Sequence, residues 1–132
     1  MLDSGNLCQG NIVAKYFTTN ANIRIPAETY FKVVEVHAFK IKVVKHDEIP
    51  ACVEHWTEID CKDICLVWLT TKILQRCNLK KSDNYENIWN NGKVGILFLS
   101  DGDCEFRGFK FSYLHELQNI YELFTKEKLE FK

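Results

Sequence analysis

Apolar and polar positions divide this chain into strand-like and helix-like stretches, and the clearest of them lie in Lys93–Lys126. Lys93–Leu99 (KVGILFL) is almost wholly apolar, Ser100-Asp101-Gly102-Asp103 interrupts it, and Cys104–Phe111 (CEFRGFKF) follows as a return strand. Asp-Gly between apolar runs signals a hairpin, because glycine takes positive φ without steric cost. With Asp101-Gly102 as the turn, Leu99 faces Cys104, Leu97 faces Phe106 and Gly95 faces Gly108. Val94, Ile96 and Phe98 then share the other side with Glu105, Arg107 and Phe109. The first strand is apolar on both faces and reads as an inner strand, the second as half exposed. Gly108 inside a strand suggests a bulge or a close backbone approach. Ser112 is placed to cap a helix on which Leu114, Leu117, Ile120, Tyr121 and Phe124 recur on one face.

Upstream, Met1–Gly10 reads as a loose lead-in and Asn11–Thr19 as a strand rich in β-branched and aromatic residues. Ile23-Arg24-Ile25 reads as a short extended piece ended by Pro26. In Tyr30–Lys45, Phe31, Val33, Phe39, Ile41 and Val43 alternate with Lys32, Lys40 and Lys42, but Val34, Glu35, Val36 and His37 break the pattern. A bend or bulge near His37-Ala38 is therefore expected. His46–Pro50 reads as a loop, and Ala51–Asp60 fits no single pattern. Ile64–Leu69 (ICLVWL) is continuously apolar. Acids before it (Glu58, Asp60, Asp63) and bases after it (Lys72, Arg76, Lys80, Lys81) match a helix macrodipole, so a buried central helix is expected over Cys61–Cys77. Asn78–Gly92 reads as loop with a short helical turn at Asp83–Trp89, and Asn90-Asn91-Gly92 as a turn.

Composition narrows the class. The chain has 132 residues, 46% hydrophobic and 13% aromatic, which suits one folded domain over 1–132. A net charge of -1 gives no general affinity for nucleic acid or acidic membrane. Six cysteines permit a disulfide framework, but the N-terminal segment lacks the basic and apolar regions of a secretory signal. No Asn-x-Ser/Thr sequon occurs, no stretch is long enough to span a bilayer, and Leu2 stands where myristoylation needs glycine. A cytoplasmic setting with reduced cysteines is the expectation, most thiols serving as small core residues.

Candidate chemistry is sparse. Cys52, His55, Cys61 and Cys65 are four soft ligands that could hold zinc, although they lack a paired CxxC spacing; no other cofactor is implied. Six cysteines and four histidines allow a Cys–His pair, with Cys104 beside the turn the first candidate nucleophile for a small zinc-stabilised or Cys-dependent enzyme. Arg107-Gly108-Phe109-Lys110-Phe111 resembles in part the RNP1 signature of RNA-recognition motifs, with Lys110 where that family has a small residue. The resemblance implies single-stranded RNA binding through Arg107, Phe109 and Phe111. Trp56 in an acidic context (Glu54, Glu58, Asp60), with Tyr85 and Trp89 in a polar loop, is usual contact-surface material. Phosphate-loop, HExxH, GxSxG, EF-hand and dinucleotide patterns do not occur.

The expected fold is α+β: a curved antiparallel sheet of about four to six strands, a buried central helix and an amphipathic C-terminal helix. The expected function is non-enzymatic protein binding, as in inhibitors and immunity proteins, through Glu54, Trp56, Glu58, Asp60, Tyr85 and Trp89. No membrane or nucleic-acid partner is expected.

Overall fold

The structure is a computed structural model that describes residues 7–18, 24–45 and 57–132. It is α+β, mostly antiparallel sheet, and divides into two compact units, Met1–Val67 and Trp68–Lys132.

The first unit is a curled five-stranded sheet. Its strands are β1 (Ile12–Thr18), β2 (Arg24–Val36), β3 (Lys40–Lys45), β4 (Thr57–Asp60) and β5 (Ile64–Cys65), in the order β4-β3-β2-β1-β5. The long alternating run is two strands rather than one bent strand. The chain reverses at Ala38-Phe39, closed by the His37 N–H donating to the Lys40 carbonyl at 2.9 Å. Val33 pairs with Val43 and Val36 with Ile41, with a register shift between Val33 and Glu35. That shift is why the alternation falters at Val34. Pro26 does not end the strand. Pro26 pairs with Tyr16 of β1, and among the described residues the segment 24–30 has no partner on β3, so no described ladder needs the missing N–H on that side. Val13, Val33, Ile41, Val43, Ile59 and Ile64 form the core, each worth about 1.5–3 kcal/mol when fully buried.

Residues 61–77 are not one helix. Cys61–Asp63 is a single 3-10 turn, and Ile64 and Cys65 pair with Lys15 and Ala14 of β1. Only α1 (Thr71–Arg76) is α-helical, capped by Thr70, whose Oγ1 accepts from the Ile73 N–H at 3.3 Å. The charge gradient belongs to a strand followed by a short helix. An apolar run with β-branched residues and no polar face satisfies its backbone by sheet pairing.

The second unit is a five-stranded antiparallel meander. Its strands are β6 (Lys80–Lys81), β7 (Ile88–Asn90), β8 (Gly95–Ser100), β9 (Asp103–Phe106) and β10 (Phe109–Phe111), in the order β10-β9-β8-β7-β6. β8 is the middle strand, paired with β7 and β9, so it is an inner strand as expected, although only its Ile96–Phe98 face is buried. The turn falls at Asp101-Gly102, with Gly102 at φ +72°. The register differs from expectation by one residue: Phe98, not Leu99, pairs with Cys104, with the irregularity between Phe98 and Ser100. The physical reason is face matching. The slip puts Cys104 and Phe106 on the side of Ile96 and Phe98, all buried, where the even register would have put Glu105.

The return strand also differs. Arg107 (φ +51°) and Gly108 (φ +86°) form a second two-residue turn, so Phe106 faces Phe109 and Cys104 faces Phe111. Two positive φ values in a row match the twist of a hairpin, and Gly108 supplies one of them without strain. Asp83–Trp89 is not helical. The Ser82 Oγ accepts from the Asn84 and Tyr85 N–H groups, and the chain then enters β7, where Trp89 pairs with Ile96. The Asn91-Gly92 turn forms as expected, with the Asn91 Oδ1 accepting from the Lys93 and Val94 N–H groups.

The C-terminal helix, α2 (Leu114–Thr125), is capped by Tyr113 rather than Ser112. The Glu116 Oε1 accepts from both the Ser112 and Tyr113 N–H groups, each at 3.2 Å. The acid at the third position thus does the capping that was expected of the serine hydroxyl. Leu114, Leu117 and Tyr121 are buried, and Tyr121 meets the β7–β8 turn, its hydroxyl accepting from the Asn91 Nδ2 at 3.2 Å.

Candidate protein-binding surface

The two-residue turn at Arg107-Gly108 brings Phe106 and Phe109 side by side, and the last turn of α2 brings Phe124 against both. The Phe106 and Phe124 rings meet edge-on at 5.3 Å, and the Phe109 and Phe124 rings lie 6.0 Å apart. Phe106 is buried beneath, while Phe109 is 50% exposed, Phe124 39% and the neighbouring Leu123 60%. The Arg107 guanidinium carbon lies 5.5 Å from the Phe106 ring centre and 5.2 Å from that of Phe124. Within about 6 Å, a cation is held by the ring quadrupole. The result is an apolar surface with one arginine laid across it.

The acidic surface expected from the sequence has a different character. Register sets Lys40 opposite Asp60 and Lys42 opposite Glu58. The Lys40 Nζ lies 3.4 Å from Glu58 and 4.0 Å from Asp60. Glu58 and Asp60 therefore share one lysine, Lys40, while Lys42 lies 3.8 Å from Glu35. His37, Phe39, Lys40, Lys42 and Glu58 line a shallow groove at the β2–β3 turn. Tyr85 is 70% exposed, but Trp89 is buried at 7%, its ring edge-on to Phe98 at 6.4 Å. Trp89 is a core residue because strand pairing at β7 turns it inward. Glu58 and Asp60 belong to the first unit, Tyr85 and Trp89 to the second. Glu54 and Trp56 lie outside the described residues.

No family model, curated protein or solved structure matches this chain.

Of the possible zinc ligands, Cys61 is buried in the first core and Cys65 is half-buried on β5, its thiol donating to the Leu66 carbonyl. Cys52 and His55 lie outside the described residues. Among the described residues, no three or more His, Cys, Asp or Glu side chains group as a metal site. Burial and the neighbouring Asp103 and Asp101 push the Cys104 thiol up to about 11. That direction opposes thiolate formation, which a nucleophile needs. His115 is buried at 4% exposure, stacked on Tyr113, and among the described residues its Nδ1 has no hydrogen-bond partner; burial holds it below its ordinary pKa. Among the described residues no helix is long and apolar enough to cross a membrane.

The RNP1-like stretch is a turn and a strand, not one continuous strand. Arg107 sits in the turn, Phe109 is exposed and Phe111 is buried. Sequence reasoning found Arg107 and Phe109 through this stretch but missed Leu123 and treated Phe124 as core. The signal for the missed pair was present: Leu123 and Phe124 are adjacent, so both cannot lie at the centre of one helix face.

Proposed function

We propose that this chain is a non-enzymatic protein-binding module that works as inhibitors and immunity proteins do, covering the functional site of a partner protein. The observation that carries this reading is the meeting of the exposed Phe109 and Phe124 rings at 6.0 Å with the Arg107 guanidinium 5.2 Å from Phe124, the exposed Leu123 preceding Phe124 in α2. Apolar side chains on rigid elements lose little entropy on contact, and aromatic residues and arginine dominate binding hot spots. The proposed surface therefore moves from Glu54, Trp56, Glu58, Asp60, Tyr85 and Trp89 to the β9–β10 turn and the end of α2.

The test is site-specific photocrosslinking. The full chain carries benzoylphenylalanine in place of Leu123 and is irradiated in extract of the cells that make it. One dominant protein adduct is expected, competed away by unlabelled wild type and not by Phe109→Ser/Leu123→Glu. Equal competition by wild type and variant, or no protein adduct, would refute the proposal.

A further inference from the structure

The partner's chemistry can be taken one step further, and this step rests on the protein-binding reading above. We infer that the surface recognises a protein segment presenting a carboxylate, from Asp, Glu or a chain terminus, flanked by apolar side chains. The carboxylate is received by the Arg107 fork, and the apolar groups by Phe109, Leu123 and Phe124.

Three observations carry this. First, Arg107 makes cation–π contacts with Phe106 and Phe124, but among the described residues no carboxylate or carbonyl is in bonding range of its guanidinium. A guanidinium presents five donors in a rigid fork, and attraction to the rings through their quadrupole supplies no oxygen acceptor for them. Second, Arg107 occupies a left-handed position, φ +51°, that Asn or Gly fills more cheaply in this type of turn. A strained residue held where a commoner one would serve points to a use for its side chain. Third, Lys110 pairs with Glu105 across the β9–β10 ladder, one residue out of phase with Phe106 and Phe109. Alternation therefore places this lysine and its acid on the opposite face of the hairpin, leaving Arg107 as the hairpin's charge beside Phe106 and Phe109.

Charge complementarity chooses between an acidic protein segment and a nucleic acid. A single arginine on an apolar bed suits one planar carboxylate, which it binds through two parallel hydrogen bonds. A nucleic acid draws its affinity from several phosphates met by several cations, and the net charge of -1 gives no such field.

The probe is a phage-displayed library of random peptides, selected on the full chain and counted by sequencing. Enriched peptides are expected to carry an acid beside aliphatic or aromatic residues. For each selected peptide, Arg107→Gln in the protein or the acid-to-amide change in the peptide weakens binding about tenfold or more, as loss of a charge-assisted bidentate pair requires. Once either is made, the other adds little, and Arg107→Lys does not restore binding because lysine lacks the fork. Peptides that need Phe109 and Leu123 but are indifferent to Arg107 would overturn this inference and leave the protein-binding reading intact. Peptides indifferent to Phe109→Ser and Leu123→Glu would overturn both. Binding of a fluorescent oligouridylate, lost in Arg107→Gln and Phe109→Ser and falling steeply with salt, would replace the inference with nucleic-acid recognition.

Discussion

Gly102→Ala is the sharpest probe of the second unit, because two separate costs meet at one methyl group. Gly102 holds φ +72°, where an alanine costs about 1–2 kcal/mol relative to ordinary backbone. A Cβ at this position would also lie 2.7 Å from the Trp68 Cζ2 and 2.8 Å from its Cε2, closer than carbon atoms approach. Trp68 is not free to step aside at no cost. Its backbone bridges to Tyr113, and its ring packs on the Tyr113 ring at 4.9 Å. The Gly102 N–H also donates to the Leu69 carbonyl at 2.9 Å, which fixes the turn beneath the ring. Trp68 is 47% exposed, so the about 1–3 kcal/mol that overpacking a closed core costs is the upper range for displacing it. The sum is a loss of at most about 2–5 kcal/mol, carried by the turn and by Trp68 together. The assay is urea denaturation followed by far-UV circular dichroism, with amide exchange in β8 and α2 assigning the loss to this unit. Repeating the substitution in a Trp68→Ala background removes the clash and should leave only the backbone cost, about 1–2 kcal/mol. The reasoning fails if Gly102→Ala costs the same in both backgrounds, or shifts stability by less than about 0.5 kcal/mol in the wild type.

Three further expectations follow from single groups. His115 is held below its ordinary pKa of 6.5 by burial, so the unfolded chain binds its proton more readily; stability of the second unit is complete above about pH 6.5 and falls as pH drops below it. His115→Leu should flatten that part of the denaturation-midpoint profile, and an unchanged slope between wild type and variant would contradict the assignment. Cys77, pushed up to about 12 by burial, and Cys104, at about 11, should alkylate with iodoacetamide far more slowly than the exposed Cys8, as read by peptide mass spectrometry at mild alkaline pH. Glu116→Ala removes the acceptor for two N–H groups at the start of α2 and should cost roughly 0.5–2 kcal/mol, with Glu116→Gln costing less because an amide oxygen still accepts; equal losses would argue that the carboxylate acts through charge alone.

Much of the architecture was legible in residue patterns, and the misses share a cause. The Asp101-Gly102 and Asn91-Gly92 turns, the inner position of β8 and the amphipathic α2 all follow from local chemistry that tertiary structure did not override. In the sequence, the reversals at Ala38-Phe39 and Arg107-Gly108 look like a bend and a bulge. Neither carries the Asn-Gly or Asp-Gly pair that announces a hairpin, and at the first the chain turns with no glycine at all. The one-residue slip at Leu99 was hidden because register is decided by which faces must be buried together, a property of two strands rather than one. Residues 61–77 misled because a charge gradient fits a helix, while pairing of Ile64 and Cys65 with β1 depends on a strand far away in sequence. At the candidate surface, Arg107 and Phe109 were visible as a basic–aromatic pair. Their union with Phe124 was not, since it needs the β9–β10 turn to close first.

The strand orders have a kinetic consequence. In the second unit every ladder joins neighbours in sequence, so each pairing closes a short loop and the next strand adds to an existing edge at small entropic cost. In the first unit β5 must find β1 after the β2, β3 and β4 segments have been laid down. Because folding rates fall as contacts become more distant along the chain, the Trp68–Lys132 sheet should zip up early, and closure of β5 onto β1 should be the slow step.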